Sequence, residues 1–282
     1  IHVVAGAKDV HAKPLAIGQR GGEIEIAMLV VKRAALRGYD CGHDPIDVLA
    51  HLMIGSEGTL GFLSEITYRT VPEYADKASA LILFDHLETA CLAVTILKNT
   101  PVAAVELADR AALRSVEGKP GLPEGIHALG ADGAALLVET RAANAGQLAE
   151  QVCAIEAALS EIATFEPVRF STDAAECARF WNVRKGMFPS VGAMRKVGTT
   201  VIIEDVAFPV PRLAEATLDL QRLLATHGYS DAIVFGHALE GNLHFVFTQD
   251  FNSAAEVLRY RGFMDAMCKP LIDRSIETMD SC

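Results

Sequence analysis

The stretch Phe235-Gly236-His237-Ala238-Leu239-Glu240-Gly241-Asn242-Leu243-His244-Phe245 decides how this chain folds. Together with its flanks, 232–247, it reads as a β-hairpin. With the turn at Glu240-Gly241, Leu239 pairs with Asn242, Ala238 with Leu243, and His237 lies opposite His244. Directly opposed side chains share a sheet face, with Cβ atoms roughly 4.5–5.5 Å apart. With Gly241-Asn242 at the turn centre, that opposition is lost. A tight hairpin requires antiparallel neighbours. The fold is therefore read as α+β, a mostly antiparallel sheet with helices on one face, and not as a parallel α/β fold.

Outward from the hairpin, short apolar strands alternate with segments of helical spacing. Strands are expected at 62–70, 80–84, 102–107, 134–139 and 199–208, with a weaker one at 168–171. Helices are expected at 25–37, from Asp44-Pro45 through Met53, and at 87–98, 147–160, 173–186, 211–226 and 253–268. Asp109 is placed as the N-cap of a helix through Val116. The Gly/Pro-rich stretch 118–133 reads as a loop. A change of regime near residue 76 divides the chain into 1–75 and 76–282. No repeat of fixed period is visible.

Composition allows a sizeable core, with 51% apolar and 22% charged residues over 282 positions. The net charge of −11 argues against a nucleic-acid partner, which would need a basic face. No apolar run is long enough to span a bilayer, and 1–6 lack the features of a signal peptide. Cys41, Cys91, Cys153, Cys177, Cys268 and Cys282 are scattered without a CxxC pair, which fits reduced, mostly buried thiols in a cytoplasmic protein.

Four stretches could carry chemistry. Ile54 to Gly61 places three glycines at spacing three, leaving backbone N–H groups open to a close ligand or simply making a turn. His237 and His244 could converge on one divalent cation, which needs a third ligand from elsewhere; the plainer reading is two polar residues packed across a hairpin. Arg184, beside Phe180 and Trp181 with Lys185 following, suits a clamp on a carboxylate or a solvated helix end. Glu204 and Asp205 lie inside an apolar strand, and at most one of them can face a given site.

Together these stretches resemble the vanillyl-alcohol-oxidase/PCMH flavoproteins. Ile54 to Gly61 looks like the glycine segment that closes their FAD-binding domain. His237 to His244 is similar to the HxGDGNLH signature of D-lactate, glycolate and D-2-hydroxyglutarate dehydrogenases. Arg184 matches an Arg that recurs in the preceding helix, and Glu204-Asp205-Val206 with Pro209 matches the strand after it. The wording of 185–208 and 236–251 most resembles large bacterial FAD-linked oxidases that also carry an iron–sulfur region.

The resemblance implies a remnant of a PCMH-type FAD-binding domain over 1–75 and an FAD-linked oxidase C-terminal substrate domain over 76–282. It implies oxidation of a small D-2-hydroxy acid by hydride transfer to FAD, with a divalent metal, zinc or manganese, polarising the hydroxyl. His237 and His244 would hold the metal, Arg184 the substrate carboxylate, and Asn242 would lie near substrate and flavin. Gly55, Ser56, Glu57, Gly58, Thr59 and Gly61 would meet FAD. An iron–sulfur cluster would belong only to regions outside this chain. The electron acceptor stays open, as do a homodimer and peripheral attachment to the inner membrane. Leu239-Glu240 stands where the family has GD, and Ile203 where relatives place a Lys. No EHG segment, the family's source of a third metal ligand and the base, follows Cys268. The chain is therefore expected to be a C-terminal portion lacking the catalytic base. The competing expectations are a metal-dependent hydrolase using Glu204 or Asp205 as third ligand, and an α+β module that only mediates assembly.

Overall fold

The computed structural model describes residues 49, 52–53, 56, 58–62, 72–118 and 122–277. The expected helix at 25–37, nearly all of the strand at 62–70, Gly55 and Glu57 of the glycine turn, Cys41 and Cys282 lie outside them. Leu49, Leu52 and Met53, the described part of the helix expected after Asp44-Pro45, are helical. The chain divides into two compact units, Ile1–Glu73 with Glu277–Cys282, and Tyr74–Ile276.

In chain order the elements are β1 (Asp76–Phe84), α1 (Leu87–Leu97), β2 (Ala104–Asp109), α2 (Arg110–Arg114), β3 (Ala134–Ala142), α3 (Ala145–Leu159), α4 (Ala174–Met194), β4 (Thr200–Ala207), α5 (Leu213–Thr226), β5 (Ile233–His237), β6 (Asn242–Gln249) and α6 (Ala254–Glu277). Four helices begin where a short polar side chain accepts a backbone N–H: Asp109 from Ala112, Asn144 from Gln147, Asp173 from Glu176 and Ser253 from Glu256. Such caps satisfy donors that the first turn leaves unpaired.

The strands form one sheet in the order β1-β3-β2-β5-β6-β4, antiparallel at every junction. Two βαββα halves are visible in this order. The first, β1-β3-β2, and the second, β4-β6-β5, have the same internal arrangement and join through β2 and β5. That junction is short, with register pairs Glu106↔His237, Leu107↔Gly236 and Ala108↔Phe235.

Alternation along the strands sends successive side chains to opposite faces. One face carries Ile82, Leu107, Leu136, Val234, Phe245 and Phe247, buried beneath Val94 of α1, Ile155 of α3, Leu220 of α5 and Phe263 of α6. This is the α+β layer expected from the sequence. The other face carries Leu83, Ala108, Ala135, Phe235 and Val246, packed on Leu113 of α2 and on Val183 and Met187 of α4. Helices thus meet the second face as well. On the edge strand β4 that face is open, and Ile203 is 45% exposed.

Three elements depart from expectation, the first being the closing helix, expected at 253–268, which continues to Glu277. The segment 168–171 forms no strand, only the single bridge Ser79↔Ser171 at the β1 edge. The helix expected to stop at residue 186 continues to Met194 through Pro189. Proline lacks an N–H and costs one helical hydrogen bond. Here Val183, Met187 and Ser190 are buried around it, and Ser190 Oγ bonds Met187 O at 2.6 Å and Ser115 Oγ at 2.8 Å. Packing overrides the local breaker.

Candidate functional site

The hairpin is wider than a two-residue turn. Residues Ala238–Glu240 form a single 3-10 turn, and Gly241 closes it in the left-handed region at φ 65°. The register is Phe235↔His244, so His237 and His244 are diagonal and not directly opposed. This corrects the expected opposition. The shift from the expected register is two residues, and the side-chain period is also two, so both imidazoles still share a face. Their ring centroids are 5.2 Å apart and nearly perpendicular, at 87°.

Each imidazole meets a carboxylate on the neighbouring strand, at its own register position. Glu106 of β2 stands across from His237, with Oε1 2.6 Å from Nδ1. Asp205 of β4 stands across from His244 and contacts its Nδ1. A carboxylate only accepts hydrogen bonds. A neutral ring in either position therefore carries its proton on Nδ1 and leaves Nε2 as a free lone pair, the usual preparation for a metal ligand.

Glu106 also receives Arg184. The guanidinium Nε donates to Glu106 Oε2 at 2.7 Å, and Cζ lies 4.5 Å above the Phe235 ring. No Nη hydrogen bond of Arg184 occurs among the described residues, and the side chain as a whole is 16% exposed. Three residues along α4, Trp181 Nε1 donates to Glu139 Oε2 at 2.5 Å. Glu139 is likewise buried, and takes Arg141 Nε at 2.7 Å and Ser79 Oγ at 3.1 Å. Helix α4 is thus fastened to this face of the sheet by two buried carboxylates.

Glu106 is only 6% exposed. Burial pushes its carboxyl up, but the hydrogen bond from His237 and the charges of Arg184 and His237 outweigh it, and the net direction is down from the ordinary 4.5. The Glu106 hydrogen bond moves His237 up from the ordinary 6.5, against the opposing effect of burial. The carboxylate's stabilisation is present above its ordinary value and fades as pH falls through the lowered one. The imidazole's is full below its ordinary value and fades as pH rises through the raised one. The stability difference between wild type and Glu106→Gln is therefore expected to be largest between about pH 4.5 and 6.5. Urea-unfolding midpoints across pH check this; a difference flat in pH would contradict it.

Asn242 opens β6 on the same face as His244, and its Nδ2 reaches Val206 O at 3.5 Å. Glu204 alternates to the opposite face from Asp205, as expected of neighbours in a strand. Among the described residues no group of three His, Cys, Asp or Glu is arranged to hold a metal. Asp205 is thus an outer partner of His244 and not a third ligand beside His237. In the other unit, Thr59 N and Oγ1 both donate to Ser56 O, at 2.8 and 2.6 Å. Gly58 there has φ 78°, with no described residue within 4 Å of where a Cβ would stand, and Gly61 stands against the Met53 side chain.

Glu106 was absent from the sequence-derived site. Its one local signal is a lone carboxylate in the apolar run 102–107, just before the capping Asp109. The described cysteines are free, but only Cys91 is buried, against the expectation of mostly buried thiols; burial pushes the Cys91 thiol up to about 12. No helix among the described residues is long and apolar enough to cross a membrane.

Comparison with known proteins identifies the family. The model of FAD linked oxidases, C-terminal domain, matches residues 73–277. The glycolate oxidase subunit GlcD of Escherichia coli K12 is 31% identical over 230 residues, covering 79% of this chain and 43% of that protein. A D-lactate dehydrogenase of Anaerostipes hadrus is 26% identical, covering 77% of this chain and 46% of its own length. The chain therefore spans less than half of these relatives. Among solved structures, an alkyldihydroxyacetonephosphate synthase shares the fold, with TM-score 0.55 at 14% identity over 79% of this chain and 44% of that one. The antiparallel α+β sheet, the paired histidines and the match over 73–277 lead to one assignment: this chain belongs to the FAD-linked oxidases and carries their C-terminal domain.

Proposed function

We propose that the protein oxidises a small D-2-hydroxy acid of the lactate, glycolate or 2-hydroxyglutarate type, and that this chain supplies the substrate side of the site. The observation that carries the reading is the common anchoring of His237 and Arg184 on Glu106, with His244 beside them on the same face. A 2-hydroxy acid presents a carboxylate and a hydroxyl on adjacent carbons. The Arg184 guanidinium, with its Nη nitrogens not hydrogen-bonded among the described residues, suits the first, and a cation held by imidazole nitrogens suits the second.

The donor set fits a divalent metal in part. His237 and His244 offer two nitrogen ligands with Nδ1 already engaged, and no third ligand stands among the described residues. Zinc or manganese bound there would act as a Lewis acid on the hydroxyl. The described part of the glycine turn, with Gly58 left-handed and no described residue within 4 Å of its Cβ position, fits close approach of FAD, which supplies the hydride acceptor when bound. Arg184 neutralises and orients the acid, while the Phe235 ring, 4.5 Å from its Cζ, packs against the guanidinium. Glu106 holds the proton of a neutral His237 ring on Nδ1, which directs the lone pair to Nε2. Asn242, at the mouth of the hairpin, lies where it could contact the bound acid.

Anaerobic addition of D-lactate, glycolate or D-2-hydroxyglutarate to the flavin-loaded protein is expected to bleach its visible absorption with at least one acid. Chelator treatment is expected to slow the bleaching. No bleaching with any acid, together with metal-dependent hydrolysis of an ester or amide, would establish a hydrolase instead.

A further inference from the structure

We infer that Glu106 is a positioning residue that sets the ring state of His237 and the plane of Arg184 through a single carboxylate. The inference rests on the reading above that His237 serves as a metal ligand and Arg184 grips the acid.

Glu106 comes from the first βαββα half, His237 from the second, and Arg184 from the helix between them. Each oxygen of the carboxylate has one partner: Oε1 meets His237 Nδ1 at 2.6 Å and Oε2 meets Arg184 Nε at 2.7 Å. Both partners are donors to it. The imidazole can exchange which nitrogen bears its proton, whereas a guanidinium remains protonated. The carboxylate therefore resolves the ring in one direction, proton on Nδ1 and lone pair on Nε2. It also pins the Nε edge of Arg184, so that the Nη edge is the one presented to an incoming acid. One rigid, nearly solvent-free group thereby sets the spacing between the two halves of the substrate's recognition. Asp205 does the same for His244, but from a side chain that is 61% exposed, so its hold is looser.

A different role must be separated from this one: Glu106 could serve only to dock α4, as Glu139 does through Trp181. Glu106→Gln distinguishes the two. A glutamine has one carbonyl oxygen and one NH2. Arg184 cannot give up its proton, so the carbonyl turns to Arg184 Nε. The NH2 then donates to His237 Nδ1 and forces the ring proton onto Nε2, which blocks metal ligation.

Long-range 1H–15N correlation spectra of metal-free, 15N-histidine-labelled protein at alkaline pH read this directly. Wild type is expected to show His237 protonated on Nδ1, and Glu106→Gln to show it on Nε2. Mn2+ affinity is expected to fall about 10–100-fold in Glu106→Gln, and to hold in Glu139→Gln. A wild-type His237 protonated on Nε2 overturns the inference without any variant. So does Glu106→Gln with an unchanged ring and unchanged Mn2+ affinity, or Glu139→Gln with the same loss. A wild-type protein that binds no Mn2+ yet shows the Nδ1–H ring supports the positioning role and counts against the metal reading alone.

Discussion

Gly241→Ala is expected to destabilise the Tyr74–Ile276 unit by about 3 kcal/mol or more, an effect of strain and overlap combined. Gly241 sits at φ 65°, ψ 11°, a conformation that costs an L side chain on its own account. The larger cost is spatial. A Cβ at this position would overlap the Phe208 carbonyl oxygen and stand 3.0 Å from its carbon. The obstacle is backbone, and it is tied in place because Phe208 N donates to Gly241 O at 3.0 Å. Relief requires the end of β4 to part from the hairpin, which also carries His237 and His244. Gly228→Ala is the informative contrast. Its φ is 76°, but the nearest atom to a Cβ is Arg259 Nη1 at 3.2 Å, the far end of a flexible side chain. That variant is expected to lose only about 1–2 kcal/mol. Urea-unfolding midpoints give both values, and equal losses would show that the Phe208 contact is unimportant.

Arg184→Ala is expected to cost about 3 kcal/mol of stability, because it removes one partner of a buried ion pair and leaves the other behind. Glu106, at 6% exposure, would keep only His237. The double variant Glu106→Gln/Arg184→Met is expected to be more stable than Arg184→Ala, since it removes the stranded charge as well. In the flavin-loaded protein, Arg184→Ala is also expected to lower kcat/KM for the acid by about 100-fold, the worth of a charge-assisted pair. A stability loss with kcat/KM retained would assign Arg184 to docking α4 and nothing more.

These residues show what the sequence could and could not say. The two histidines were placed on one face although the turn was misjudged, because a slip of two residues preserves facing. The 3-10 turn at Ala238–Glu240 was not legible, since it depends on the left-handed Gly241 packing against Phe208. Arg184 was legible as a candidate clamp from its aromatic neighbours. Its partner Glu106 was not, because the two are 78 residues apart and meet only through the placement of α4 over β2. Glu204 or Asp205 was expected as a third ligand in the hydrolase reading; Glu204 faces the other side of the strand, and the register of Asp205 opposite His244 makes it a partner to Nδ1. The two βαββα halves escaped notice for a related reason. What repeats is the order of elements in the sheet, and residue-by-residue similarity is not needed to preserve it.

The contact between the halves spans three register pairs, and one of the three is Glu106↔His237. Chemistry and architecture therefore share a seam. If the strand pairing at that seam opens, most of the helices and strands remain, yet the ring state and the acid grip are lost together. Dormant and competent forms would then be nearly indistinguishable by far-ultraviolet circular dichroism. Amide exchange at Leu107 and Gly236 would be the sensitive gauge of how much of the population is armed at any moment.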